Sequence, residues 1–422
     1  MGGGALHHNP RINNRWSRSA LDLAILALGL ALFFGLHACL GPGRQEPAAT
    51  VMTWIDPGRR PELGDDLDAE SLQRALNHSR AYYAGLPSDT VFKFGPDEYS
   101  AAHLLTSLEV FERLFLCLGP GPKLDQALSR DFIFYQCLGR DDKGKVLITG
   151  YYEPLLSGSR VRTDRCQWPV YRRPPDLIQV ELGYFNAELS GRRLVGRASG
   201  GRLEPYYTRR DIDRLGVLEG RGLELVWVDD PIDLFFLHVQ GSGRVQLPDG
   251  ECLRVGFDVS NGRVYRSPLD PMIKDGVMSV EEASLQSIKA WLKANPARSR
   301  AYLEHNERYV FFKPLAGDPM GNLGRPLTPH RSVALDHRLF PKGALAWLRG
   351  RTPVVVGEAI SGWRDFGRFV LVQDTGAAIT GPGRLDLFFG PGPAAEASAG
   401  RLKEPGRLYF LVKRPGPAER AP

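Results

Sequence analysis

Apolar positions along this chain change period as it proceeds. From Ser71 to Leu86 and from Tyr99 to Leu118 they recur at helical spacing, as in Leu104-Leu105, Leu108, Phe111 and Leu114-Phe115, and predict two amphipathic helices. From Phe132 the texture becomes short apolar runs separated by Gly, Pro and Asp: Val146 to Tyr152, Leu223 to Val228, Leu234 to Gln240 and Leu253 to Val259. That is the texture of strands and turns. Ser279 to Ala294 returns to helical spacing, with Glu281 and Glu282 in the first turn and Asn295-Pro296 as its stop. A second strand-rich block includes Tyr309 to Phe312, Val354 to Ile360, Arg368 to Gln373 and Leu408 to Val412, and the tail after Lys413 reads as disordered.

A length of 422 residues exceeds the roughly 100–200 usual for one domain, so two domains, or one carrying a large insertion, are expected. The 47 Gly and 32 Pro make about 19% of the chain against a background of roughly 12%, which implies many turns and moves the fold class to mainly β with flanking helices. Hydrophobic residues at 43% and charged residues at 24% exclude wholesale disorder and a multi-span membrane protein. The net charge of +6 is scattered without a Lys/Arg block, so no nucleic-acid partner is expected.

Arg11, Arg15 and Arg18 precede Leu23 to Leu36, 14 residues without a charge. A spanning helix needs roughly 20 apolar residues, whereas a basic segment before an apolar stretch of about 7–15 is the pattern of a secretory signal. Leu36-His37-Ala38-Cys39 closes the run like a bacterial lipobox, which makes Cys39 the candidate lipidation site, with an uncleaved membrane anchor as the alternative. Either one puts the bulk of the chain outside the cytoplasm. Cys117, Cys137, Cys166 and Cys252 remain, open to disulfides or to buried free thiols.

Three acids stand at or inside apolar stretches of the second strand-rich block. Asp374, before Thr375-Gly376, either caps a turn through backbone N–H groups or is presented for chemistry. Asp-Thr-Gly occurs once, so an aspartic protease, which needs two carboxylates sharing a proton, would require a homodimer. Asp386 interrupts Leu385 and Leu387-Phe388-Phe389, where an apolar wall would raise its pKa toward that of a working acid unless alternation turns it outward. Asp336 ends an apolar stretch before the Pro341-Lys342-Gly343 turn. Gln240-Gly241-Ser242-Gly243 reads as a strand end where glycine admits a ligand close to the backbone, or as a plain turn. It fits neither the serine-hydrolase nor the dinucleotide glycine pattern. Thr149, Tyr151 and Tyr152 offer hydroxyls and aromatic faces to a ligand, or a Tyr pair packed in the core. His238 reads as a core histidine, and no metal or cofactor is expected.

Gly150-Tyr151-Tyr152-Glu153-Pro154, Pro205-Tyr206-Tyr207-Thr208-Arg209, Asp233-Leu234-Phe235-Phe236 with Val239-Gln240-Gly241-Ser242-Gly243, Tyr309-Val310-Phe311-Phe312 and the three-Asp block succeed one another in this order. The series resembles the membrane-bound lytic murein transglycosylase A family over roughly residues 101–413. The resemblance implies a double-psi β-barrel domain with a second, smaller β-domain inserted in it and a glycan groove between them. Applied to this chain, it implies a signal or anchor at 1–40, a linker at 41–70, barrel segments at 71–155 and 306–413, the insert at 156–305 and a tail at 414–422.

The implied activity is that of a peptidoglycan lytic exotransglycosylase, a carbon–oxygen lyase. It cleaves the β-1,4 bond between N-acetylmuramic acid and N-acetylglucosamine without water and leaves a 1,6-anhydromuramoyl end. Asp386 matches the catalytic motif, Asp374 and Asp336 are supporting residues, and Thr149, Tyr151, Tyr152, Gln240, Gly241 and Ser242 are substrate contacts. The implied partners are glycan strands, the membrane and cell-wall synthesis or division proteins. The implied location is the periplasmic side of the outer membrane, with an inner-membrane anchor as the alternative. Two other functions compete: a non-catalytic glycan-binding barrel, and a hydrolase pairing Asp386 with Glu153 or Asp374. Ala377-Ala378 departs from the family, where Gly often comes after the Asp-x-Gly motif, and the extra methyls would narrow the loop beside Asp374.

Overall fold

The computed structural model describes residue 1 and residues 50–141, 143–356 and 359–416. The apolar N-terminal run, Cys39 and most of the tail lie outside the described residues.

Six strands close into a barrel. In ring order they are Lys403–Lys413, Leu345–Val356, Ala359–Asp374, Ser332–Ala334, Arg384–Pro391 and Val146–Glu153, and the last pairs back to the first. Ser332–Ala334 runs parallel to Ala359–Asp374, and Arg384–Pro391 runs parallel to Val146–Glu153. Ile148, Val333, Leu348, Leu385, Leu387 and Phe410 share one apolar core with the N-terminal helices. Those helices, Ala69–Ala84 and Ala101–Leu118, start where the side chains of Asp68 and Ser100 accept the first free backbone N–H groups. They bury the stripes that the spacing predicts, among them Leu72 and Leu76 on one and Leu104, Leu108 and Phe111 on the other.

The stretch expected to be a linker is partly built into this unit. Met52–Trp54 pairs with Phe132–Cys137, which in turn pairs with Lys403–Lys413. Asp65 is fully buried against Arg331, and Asp66 holds Arg368. The segment looks polar because its acids neutralise barrel arginines rather than facing water.

Between the barrel segments lies a second, six-stranded sheet. Its order is Val310–Pro314, Cys252–Ser260, Ser242–Gln246, Leu155–Ser159, Glu224–Val228 and Trp168–Tyr171. Leu156, Val226, Leu237, Val245, Val255 and Phe312 form its own core. Val310–Pro314, expected in the barrel segment that begins at 306, belongs to this sheet through its pairing with Cys252–Ser260.

Three further expectations are corrected. Leu234 to Gln240 is the body of a helix, Pro231–Gln240, not a strand. Asp230 caps it by accepting from the N–H groups of Ile232 and Asp233, Pro231 fills the first helical position, and Gly241 ends it at φ 81°. A run buried on most sides shows no period, so the caps decide its structure. The helix expected from Ser279 begins only at Leu285, capped by Ser284, while Ser279 and Glu282 close a turn before it. The run Val354 to Ile360 is split between two antiparallel strands, with Val356 opposite Ala359. Disulfides are absent among the described residues: Cys137 and Cys166 are buried free thiols, and Cys117 and Cys252 are exposed. No described helix is long and apolar enough to cross a membrane.

Candidate active site

Strand register lines up the residues singled out from the sequence. Ala334 lies opposite Asp374 on one neighbour and opposite Asp386 on the other, Asp386 lies opposite Thr149, and Thr149 lies opposite Lys403. Adjacent strands are roughly 4.8 Å apart, so the backbones at Asp374 and Asp386 are about 10 Å apart. Alternation along Arg384–Pro391 sends Leu385 and Leu387 into the barrel core and turns Arg384 and Asp386 outward. Outward here does not mean bulk water. Both side chains line a cleft of ≈ 440 Å³ whose wall also includes Gln240, Tyr265 and Arg308 from the insert. Among the described residues lining that cleft, Asp386 is the sole carboxylate.

Burial pushes the Asp386 carboxyl above the usual carboxylate range, against the opposing pull of the Thr149 hydroxyl and the Arg384 charge. The Thr149 hydroxyl donates to Asp386 Oδ1. Asp374 sits two strands from Asp386: the Tyr151 hydroxyl donates to its Oδ2 at 2.8 Å and the Asn322 N–H to its Oδ1 at 3.0 Å. Burial pushes its carboxyl up to about 6, with the Asp386 charge adding to the rise and the hydrogen bonds opposing it. Interaction between two acids is reciprocal, so the Asp374 charge also favours the protonated form of Asp386. The coupling has an expected consequence for activity. If protonated Asp386 is the working form, kcat/KM falls as pH rises through its pKa, and Asp374→Asn, which removes a negative neighbour, moves that limb to lower pH. A pH–rate profile of the two forms with superimposable limbs would contradict the coupling.

Asp336 is occupied differently. Burial works against its ionisation, but Arg338 (2.8 and 2.6 Å), the Arg338 N–H and the Gly381 N–H (2.9 Å) together hold it at about 2. It therefore stays charged and ties down the loop after Asp374, whose Gly376, Ala377, Ala378 and Ile379 face the cleft.

Thr149, Tyr151 and Gln240 line the cleft, as the expected contacts should. Tyr152, Gly241 and Ser242 do not. Tyr152 is 1% exposed and packs in the barrel core, because alternation puts it on the opposite face from Tyr151. Gly241 is the left-handed helix end, and Ser242 opens the next strand, so this corner makes the backbone turn between them. Gln240 Oε1 accepts the Tyr152 N–H at 3.1 Å, fastening the insert helix to the barrel strand. Glu153 is no second catalytic carboxylate: it is fully buried and takes the Arg244 Nε–H at 2.6 Å.

Sequence reasoning missed Arg308, Arg384 and Tyr265, and it left His238 in the core without a role. Arg384 was within reach, since a strand residue two positions before Asp386 shares its face. The others arrive from distant segments. His238 is buried, with Arg209 donating to Nδ1 at 3.0 Å, and burial together with the Arg209 charge holds its pKa well below the ordinary value. The ring therefore stays neutral, its proton on Nε2.

Comparison with known proteins agrees with this geometry. The family model described as the MltA specific insert domain matches residues 147–313, and the 3D domain matches residues 331–412. The chain is 33% identical over 276 residues to the membrane-bound lytic murein transglycosylase A of Vibrio cholerae, covering 65% of this chain and 67% of the relative. The chain belongs to the membrane-bound lytic murein transglycosylase A family. The Escherichia coli protein of the same name is 31% identical over 285 residues, covering 67% of this chain and 70% of that one. Among solved structures, the membrane-bound lytic murein transglycosylase of Agrobacterium tumefaciens is similar at a TM-score of 0.68 and 28% identity, covering 86% of this chain and 98% of its own. Escherichia coli MltA with bound chitohexaose is similar at a TM-score of 0.65 and 25% identity, covering 86% and 95%. The barrel is the double-psi barrel of these transglycosylases, and the second sheet lies within the span of their insert domain.

Proposed function

We propose that this chain is a lytic transglycosylase that cleaves the β-1,4 bond between N-acetylmuramic acid and N-acetylglucosamine in peptidoglycan without water, with Asp386 as acid and then base. One observation carries the reading: a single carboxyl, raised by burial and held by a neutral hydroxyl, opens onto the cleft. Protonated Asp386 gives its proton to the glycosidic oxygen as that oxygen leaves the muramoyl C1. The resulting carboxylate takes the proton of the muramoyl C6 hydroxyl as its oxygen bonds to C1, which closes the 1,6-anhydro ring and returns Asp386 to its acid form. Water enters neither step, so one carboxyl suffices. A hydrolase of inverting or retaining type needs a second carboxyl at a defined separation. Glu153 is committed to Arg244, and Asp374 to Tyr151 and Asn322.

In this scheme Asp374 and Tyr151 hold the wall beside the acid, and Asp336 fixes the adjoining loop. Gln240 keeps its amide N–H₂ available to sugar acceptors, since its oxygen is spent on Tyr152. The chitohexaose bound by the Escherichia coli relative supports a glycan as the occupant of the cleft. The relatives' name supports association with a membrane. Anchoring by a lipid on Cys39 at the periplasmic side of the outer membrane is the arrangement that the N-terminal sequence favours.

Mass spectrometry of sugar ends released from purified peptidoglycan in oxygen-18 water tests the reaction. Anhydromuramoyl ends without label are expected; reducing ends carrying the label would mean hydrolysis, and no new ends would mean a binding module.

A further inference from the structure

Several arginines outside the cleft lining are neutralised. Arg209 pairs with Asp213, Arg244 with Glu153, and Arg338 with Asp336. Arg308 and Arg384 are the two arginines among the described residues that line the cleft, one from the insert and one from the barrel, and neither makes an ion pair with a carboxylate there. Among the described residues the Arg308 side chain has only the Arg263 carbonyl, at 3.2 Å from its Nη1. Arg384 Nε is buried with no hydrogen-bond partner at all. Burying a cation without an ion pair is unfavourable, and Asp386, whose charged form Arg384 favours, is pushed by burial toward its neutral form, so two such groups lining one cavity call for an anion from outside the chain. Burial also lowers the Arg308 pKa, the mark of a charge that lacks compensation.

We propose that Arg308 and Arg384 form a carboxylate-binding pole of the cleft that selects glycan bearing acidic substituents over neutral glycan. This inference rests on the transglycosylase reading of the cleft. N-acetylglucosamine has no charge to offer. The substituent on muramic acid does: a free lactyl carboxylate where the peptide is absent, and the carboxylates of the peptide stem where it is present. Guanidinium groups suit either, because each presents paired N–H donors to a carboxylate. The acid at Asp386 and this basic pole lie close together, with Arg384 two residues away on the same face of the same strand. A substrate carboxylate bound there sets which sugar ring stands over the acid.

The test is calorimetric titration of the full chain carrying Asp386→Asn, so that an arginine substitution cannot act through protonation of the acid. Three oligosaccharides of equal length serve as probes: N-acetylglucosamine only, muramoyl-containing with free lactyl carboxylates, and muramoyl-containing with peptide stems. An anionic probe is expected to bind more tightly than the neutral one and to weaken with salt. Arg308→Gln and Arg384→Gln are each expected to weaken that probe about tenfold or more. They should leave the neutral probe unchanged, and Arg→Lys variants should recover part of the loss. Loss confined to the lactyl probe identifies that carboxylate, loss confined to the stem probe identifies the peptide, and loss with both means that the pole accepts either. Equal affinity for neutral and anionic probes, or a loss shared equally by the neutral one, overturns the proposal. Failure of the transglycosylase reading would show separately, as absence of anhydromuramoyl ends with the unsubstituted chain.

Discussion

Asp386→Asn is expected to lower the rate at which anhydromuramoyl ends are released by about 10³–10⁴-fold. General acid–base catalysis by one positioned group contributes roughly 10²–10⁴, and here one group serves in both proton transfers. The amide keeps the size of the carboxyl and leaves Thr149 a partner, so the cleft should remain intact. Stability supplies the control. The Asp386 carboxyl has a folded-state pKa above its ordinary value, through burial. The fold therefore favours its neutral form, and that contribution is fully present at pH below the ordinary 3.8 and is lost as pH rises through the folded-state value. Asp386→Asn should thus melt higher than the parent at pH 7 and match it in acid. An inactive variant that also melts lower at pH 7 would point to a damaged fold and leave the acid unassigned. A variant that still releases ends at the parent rate would remove Asp386 from the chemistry.

Asp65→Asn should be among the most destabilising single substitutions in the barrel, at about 3–5 kcal/mol, the range for breaking one side of a buried ion pair. Arg331 is fully buried and spends every donor: two on the Asp65 carboxylate at 2.7 and 2.8 Å, and the others on the carbonyls of Phe369 and Asp68 and on Ser71 Oγ. Asp65 also takes the Phe369 N–H at 2.9 Å. Removing its charge leaves the buried guanidinium without its ion-pair partner. Thermal melting at neutral pH should fall by roughly 10 °C. Replacing both partners together, as in Asp65→Leu with Arg331→Met, should recover much of the loss, because an apolar pair carries no desolvation penalty. A melting temperature within a degree of the parent for Asp65→Asn would show that this joint contributes little.

The misread residues have a common cause. Tyr151 and Tyr152 are adjacent on one strand, and a pair of like side chains does not reveal which one faces the core; only the position of the barrel interior settles it. Leu234 to Gln240 has the length of a strand and the composition of a buried element of either kind. Residues 51–70 looked like a linker because paired and solvated acids are indistinguishable in a sequence. Arg308 and Tyr265 precede Arg384 by 76 and 119 residues and share its cleft only once barrel and insert have folded, which no local pattern encodes.

By itself the sequence determined the two N-terminal helices and the mainly β character of the chain beyond Phe132, and it marked Asp386, Asp374, Thr149 and Tyr151 one by one as candidate site residues. Those are local properties: period, chain-breaking residues, and a charge set into an apolar strand. The tertiary structure alone decided that the outward face of that strand is the wall of a cleft rather than solvent, that Glu153 is spent on Arg244, that Asp336 is a fixed anion, and that one arginine from the insert and one from the barrel line the same cleft without an ion pair among the described residues. Each depends on which distant groups share a low-dielectric space, and burial and charge pairing at that range are set by the packing of the barrel against its insert.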